Sequence, residues 1–363
     1  MKKFIFVLEA LALGSVSFAI EDAFVSWELV DSDDIRIQQI SVQASEVISG
    51  WDTTASIART EYDVDYEPVD FDFLGEPAER SESNVSLQLN TRKALGENFW
   101  ILGSLGVYDG FTSYSSIWLD QYFAERFSDL PEGVEGADNY IAADPKGING
   151  SVGIRWQYKP NTGYAQLTLS QLRDDISPGY EIDFDGLTRS SLVLATSAIS
   201  LSTENILTKR IRTLVELRGS RTSERDWRYG LQASGNFGLS DKLIAKLQVG
   251  AAIENPDFEA YYGNLELSYS ITDTISIYAD ARYYEDTGEI EDSLLFTSAA
   301  PGVETNKQGI GIRWMTGEKW SARIYFSRLS STYEPTNPNT DFFQNLYRDR
   351  DWDIAQISFG KTF

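Results

Sequence analysis

The sequence predicts an all-β chain, an antiparallel transmembrane β-barrel of about fourteen strands with short periplasmic turns and long extracellular loops. Three observations carry that expectation: long segments of strict alternation, short turns that alternate with long connections, and aromatic residues gathered toward strand ends. Alternation is clearest from Trp227 to Tyr284. Trp227, Tyr229, Leu231, Ala233, Phe237 and Leu239 share one parity, and Arg228, Gln232, Ser234 and Asn236 the other. A period of two gives a strand one apolar and one polar face. The unit recurs from Leu243 to Ile253, from Tyr261 to Ile271 and from Ile275 to Tyr283, joined by Ser240-Asp241-Lys242 and Thr272-Asp273-Thr274. At about ten to thirteen residues these segments are roughly twice a usual soluble strand, and of the length a tilted strand needs to cross a bilayer. The apolar parity is assigned to lipid and the polar parity to a lumen.

Taken in order, residues 1–19 read as a secretory signal peptide. Lys2 and Lys3 precede an apolar run from Phe4 to Val16, and the small residues Ser17 and Ala19 place cleavage after Ala19. The apolar run is too short for a spanning helix. Residues 20–49 are expected to form an N-terminal periplasmic lead-in or plug, because Ile35, Ile37, Ile40 and Val42 mix parities. The barrel is assigned to residues 50–363, with a first, acidic crossing from Trp51 to Tyr66.

Tight turns then join successive pairs of strands: Gly96-Glu97-Asn98, Pro160-Asn161-Thr162-Gly163, Thr203-Glu204-Asn205 and Thr316-Gly317-Glu318. These residue types tolerate the backbone angles of hairpin turns. Longer connections lie between the hairpins, at Thr112 to Gly147, Asp174 to Leu187, Asp286 to Asn306 and Thr332 to Arg350. Aromatic residues at strand ends read as interfacial girdles: Phe99 and Trp100, Trp156 and Tyr158, Trp227 and Tyr229, Tyr261 and Tyr262, Tyr283 and Tyr284, Trp314 and Trp320, and Trp352.

The last strand places Ala355, Ile357, Phe359 and Phe363 on one parity, with Lys361 where an apolar residue is usual. This ending resembles the C-terminal signature of Gram-negative outer-membrane β-barrel proteins, a porin-like class. The resemblance implies location in the outer membrane, contact with its lipid and lipopolysaccharide, and recognition of Phe363 by the barrel-assembly machinery.

Composition narrows the function. The chain has no cysteine and no histidine, which removes disulfides, serine–histidine hydrolysis and histidine-held zinc or haem. No enzyme, cofactor or metal site is expected. A formal net charge of −24, concentrated in stretches such as Glu61 to Glu82, argues against a nucleic-acid partner. The lumen parity collects Arg155, Arg210, Arg212, Glu216, Arg218, Arg228, Lys246, Glu254, Glu266, Asp280, Arg282, Arg313 and Arg323. An Arg or Lys turned to lipid at mid-membrane costs about 2–4 kcal/mol, so these are read as lining a pore or pairing across a solvated interior. Leu119, Tyr122, Phe123 and Phe127 recur at helical spacing in the longest loop, a pattern for a constriction or a lid. Gly150, Gly153, Gly309 and Gly311 are read as strand glycines at lumen positions or bends. The expected function is a porin-like channel for passive diffusion of small polar solutes or ions. The alternative is a non-conducting barrel that acts structurally or binds partners through acidic loops.

Overall fold

The structure, a computed structural model, describes residues 21–66, 78–118, 120–121, 143–175, 179–183, 186–190, 193–223, 225–255, 258–289, 300–316, 319–334 and 346–363. The first strands are β1 (Asp22–Asp31), β2 (Ile35–Ile48), β3 (Trp51–Tyr66), β4 (Ala78–Ala94) and β5 (Phe99–Gly110). They are followed by β6 (Lys146–Lys159), β7 (Gly163–Asp175), β8 (Gly179–Asp183), β9 (Gly186–Ser190), β10 (Val193–Thr208) and β11 (Ile211–Thr222). The last are β12 (Arg228–Gly238), β13 (Leu243–Glu254), β14 (Phe258–Ser270), β15 (Ile275–Glu289), β16 (Ala300–Met315), β17 (Trp320–Tyr333) and β18 (Arg350–Thr362). All but β8 and β9 form one closed antiparallel barrel, sealed where β1 pairs with β18 from Asp22↔Thr362 to Asp31↔Asp353. β8 and β9 form a separate hairpin in the connection from β7 to β10. Closure leaves no barrel strand with an unpaired edge, as a bilayer requires.

The barrel has sixteen strands rather than about fourteen. The first two come from residues 20–49, the segment expected to be a lead-in or plug. Their mixed parity has a physical cause. Ile40 and Val42 face outward, while Ile35 and Ile37 face inward and belong to a packed cluster at the mouth. Residues 1–19, expected from the sequence to be a signal peptide, lie outside the described residues.

Two faces are told apart by contact. Apolar side chains such as Leu217, Leu231, Val249, Leu265 and Ile324 are each more than two-fifths exposed, and they pair only with one another's parity around the wall. Side chains of the other parity reach across an intervening strand, as Arg313 of β16 does to Glu266 of β14. Only the concave side of a barrel brings such chains together. So many exposed large apolar residues on one face fit a lipid-facing belt and would be anomalous for a soluble surface.

The belt has aromatic margins at both ends: Phe99, Trp156, Trp314 and Trp320 near the short turns, and Tyr229, Tyr261 and Tyr283 toward the opposite end, the one that carries the long connections. Trp320 and Arg328 sit eight positions apart on β17. Eight residues of a strand tilted by about 40° rise about 20 Å, close to the height of a transmembrane belt. Past that level the outward positions turn polar, with Arg59, Glu61, Asp63 and Asp65 on β3 and Arg328 on β17. Several aromatic residues expected in the girdles instead face inward, among them Trp100, Tyr262 and Tyr284, and Trp352 is buried at the mouth.

The β2–β3 turn shows why the short-turn end is tight. Ser49 and Gly50 have φ of 55° and 77°, two left-handed residues closing the pair Ile48↔Trp51. That is the geometry of a two-residue hairpin matched to strand twist. At the same end Lys361 places its ammonium 4.9 Å from the Trp320 ring and 4.5 Å from that of Phe363. The cation at this outward position is held by aromatic faces at the belt margin.

Candidate functional site in the barrel interior

Three regions make up the interior. At the long-loop end, Ile35, Tyr62, Val64, Phe111, Ile117, Trp118, Leu346 and Trp352 form the buried apolar cluster. Ile117 and Trp118 belong to a short helical stretch, residues 114–118 and 120–121, that follows β5 and folds against the inner ends of β2, β3 and β18. Ion pairs tie down the same region. Arg350, with a side chain only 4% exposed, meets Asp34 at 2.8 Å, and Arg348 reaches the same carboxylate at 3.0 Å. Arg80 Nη2 lies 2.5 Å from Asp120 Oδ2. Burial raises the Asp34 pKa, but hydrogen bonds and charge from Arg350, then the charge of Arg348, hold it below the ordinary carboxylate value. Of the residues read as a constriction or lid, Leu119, Tyr122, Phe123 and Phe127 lie outside the described residues.

The second region is the wall from β11 to β17, where ionised and tyrosine side chains interlock. Glu266 accepts hydrogen bonds from Lys246 Nζ at 3.0 Å and from Arg313 Nη2 at 3.0 and 3.1 Å. Arg323 Nε donates to Tyr278 Oη at 2.5 Å, and Tyr325 Oη donates to Asp280 Oδ1 at 3.0 Å. Lys307 Nζ lies 3.6 Å from the same Asp280. The rings of Tyr278 and Tyr325 stack at 5.7 Å with 5° between planes. They lie over the inward glycines of β16: a methyl at Gly311 would collide with Tyr278, and one at Gly309 with Tyr325. Nearby, Tyr262 Oη donates to Gln232 Oε1 at 2.5 Å. Arg218 and Arg282 are inward-facing and exposed, so they present charge to the interior space.

From β2 to β10 the third region is unlike the second. Its mid-strand inward positions carry Gln39, Ser41, Ser56, Ala58, Gln88, Asn90, Ser104, Ser151, Thr168, Ser170 and Ser200, with no charge between the charged residues of the strand ends. Hydroxyl pairs knit it together: Ser104 with Ser151 at 2.6 Å, Ser45 with Thr54 at 3.0 Å and, at the β1–β2 edge, Ser26 with Ser41 at 2.6 Å.

The structure places all the charged residues named from the lumen parity on the inward face except Arg210. Arg210 sits in the β10–β11 turn and pairs with Asp241 of the neighbouring turn at 2.6 Å. Apart from Arg155 of β6, they all come from β11 to β17. Gly153, Gly309 and Gly311 face inward, while Gly150 pairs with outward Leu105 and faces out. Sequence reasoning missed Asp34, Arg80, Arg350, Lys307, Glu204 and the inward tyrosines. Lys307 and Tyr278 share the inward parity and were within reach of that signal; Asp34 and Arg350 were not.

Arg92, Trp100, Arg155, Tyr164, Glu204, Ile206 and Arg212 surround a cavity of about 470 Å³ near the short-turn end, between β4 and β11. Glu204 bridges Arg155 at 3.0 Å and Arg212 at 2.8 Å. Among the described residues no group of three or more His, Cys, Asp or Glu could hold a metal ion, and no helix is long and apolar enough to cross a membrane.

No protein-family model matches the chain, and no curated protein sequence matches it. Solved structures do. A bacterial polysaccharide outer membrane secretin superposes with a TM-score of 0.52 at 7% identity, covering 94% of this chain and 98% of that one. CdiB from Acinetobacter baumannii gives 0.55 at 9% identity over 94% of this chain, which spans 60% of that longer protein. A TodX deltaS2S3 mutant, a monoaromatic hydrocarbon channel, gives 0.50 at 11% identity, covering 94% of this chain and 90% of that one. At such identities the likeness is one of fold. The chain is a closed antiparallel β-barrel of the outer-membrane type.

Proposed function

We propose that the barrel is a passive channel for small polar solutes or ions, seated in an outer membrane with its short turns toward the periplasm. The observation that carries this reading is the interior: polar around most of its circumference, in a barrel of sixteen strands. Barrels of sixteen to eighteen strands are wide enough to leave an aqueous channel. Interior side chains that only closed the lumen would be expected to pair fully with one another, whereas Arg218 and Arg282 extend into the interior exposed. Among the described residues the mouth cluster narrows one side, over β18 and β1 to β3, and leaves the rim above β11 to β16 clear of it. Arg36, Arg59 and Arg328 stand outward just past the belt, each paired with a carboxylate, of Asp31, Glu61 and Asp351, in a mixed-charge band at the level of the lipopolysaccharide headgroups. Phe363, 59% exposed at the short-turn end, is presented for the barrel-assembly machinery.

Planar-bilayer recording on purified, folded protein tests the channel. Stepwise ionic current is expected, with a reversal potential that responds to the lumen charges. A folded barrel that carries no current would overturn the reading in favour of a structural or surface-binding role.

A further inference from the structure

We propose that the cavity between β4 and β11 is a binding subsite for a small monoanion that joins a carboxylate to a ring. The inference rests on the channel reading only for the route by which such a solute arrives. Its volume of about 470 Å³ lies within the range of small-molecule sites.

Charge is the first argument. The chain as a whole carries −24, yet this cavity is lined by Arg92, Arg155 and Arg212 against the single carboxylate of Glu204. Counting Asp52, which holds Arg92 at 2.6 Å, the cluster keeps one positive charge in excess. Glu204 is only 13% exposed and clamps two of the arginines, so it fixes the guanidiniums in place without neutralising the group.

Unused donors are the second argument. A guanidinium has five N–H donors. Among the described residues Arg155 engages one of them in a hydrogen bond, to Glu204, and Arg92 two, to Asp52. The planar fork of a guanidinium matches a carboxylate two bonds at a time, which favours this anion over a spherical one. The third argument is the shape of the remaining wall. Trp100 and Tyr164 stand with ring centroids 6.2 Å apart and planes tilted by 54°, with Ile206 beside them, an apolar corner for a ring. Arg155 lies over Tyr164, its guanidinium carbon 4.4 Å from the centroid, which pre-positions that cation at the edge of the corner. A solute coming from the mouth along β2 to β10 passes uncharged hydroxyls and amides before it meets these arginines.

The test is calorimetric titration of folded wild-type barrel in detergent micelles with D-glucuronate and with benzoate, beside the neutral analogues D-glucose and benzyl alcohol. Saturable binding is expected for at least one of the two acids and for neither neutral analogue, and the acid that binds identifies the ring as sugar or aromatic. In the variant combining Arg155→Gln and Arg212→Gln, binding should weaken about tenfold or more. Arg210→Gln, in the turn outside the cavity, should leave it unchanged. Neutral analogues binding as tightly as the acids, or no saturable heat with either acid, overturns the proposal on wild-type protein alone, whether or not the double variant folds. Micellar binding does not depend on conduction. A barrel that binds an acid but passes no current therefore keeps the subsite and loses the channel, and a conducting barrel that binds neither acid does the reverse.

Discussion

The mouth and the mid-height wall use the same pair of chemical groups in different surroundings. Arg350 and Asp34 have side chains 4% and 10% exposed, packed beside Trp352 and Leu346. Arg313 and Glu266 are 28% and 16% exposed, and a third charge, Lys246, joins them at 46% exposed. Desolvation is costly for two ions, and breaking a pair is most damaging where neither survivor can rehydrate. Exposed pairs are worth about 0–1 kcal/mol, because water and salt screen them. The buried pair is therefore a fastener that joins the β1–β2 connection to the start of β18, and the solvated triad is a charged surface that, on the proposed channel reading, sets the field felt by a passing ion.

The sharpest way to break this distinction is Arg350→Ala. Removing one partner of a buried pair costs about 3–5 kcal/mol, and the low end is expected because Arg348 stays 3.0 Å from Asp34. Hydrogen exchange at Ile35, whose amide donates to Ser32 Oγ, and at Asp65, whose amide donates to the Asp34 carbonyl, should speed up roughly a hundredfold, while β13 to β15 stay protected. Loosening that spread to β13–β15 would show that the mouth is no separate fastener. The same contact predicts a pH response. The folded pKa of Asp34 lies below the unfolded value, so its stabilisation is complete above about pH 4 and is lost as pH falls through the folded value.

How much of this was legible in the sequence follows the range of the signal. Alternation is local, so β12 to β15 and the inward parity of Glu266, Asp280 and Arg313 could be read directly. It failed at β2, where Ile35 and Ile37 are apolar on the inward face because the mouth has a packed core there. It also weakened on β3, whose outward residues past Ile57 stand above the belt and are ionised. Asp34 and Arg350 are separated by 316 positions, and only closure of β1 on β18 brings them together. Reading charge on the lumen parity favoured β11 to β17 and passed over the wall from β2 to β10, whose uncharged serines and amides give no comparable signal. The 470 Å³ cavity needed register as well, since its residues come from six consecutive strands of the barrel, β4, β5, β6, β7, β10 and β11.

A smaller effect is expected at Gly311, on the solvated side of the comparison. Tyr278 is 2% exposed, covered by the stacked Tyr325 ring and the Arg313 guanidinium, and its hydroxyl end fills the space over Gly311, so Gly311→Val would displace the ring. Overpacking of this kind costs about 1–3 kcal/mol. The displaced ring has only the lumen to enter, so single-channel conductance should fall together with the thermal midpoint in detergent. A lower midpoint with unchanged conductance would mean that the stacked tyrosines do not border the conducting path.

The smallest effect on stability and the clearest on function should come from Glu266→Gln. The glutamine keeps an acceptor for Lys246 and Arg313, and the pairs it weakens are partly solvated, so a loss of about 1 kcal/mol or less is expected. Electrically the change is larger, because two cations that faced one carboxylate are left without it. Under a salt gradient the reversal potential should move toward that of the anion. Asp34→Asn removes the same charge at the mouth, where it is enclosed by Arg348 and Arg350, and should leave the reversal potential in place while it loosens the connection. Equal shifts from the two substitutions would place both carboxylates on the ion's path and erase the difference between fastener and field.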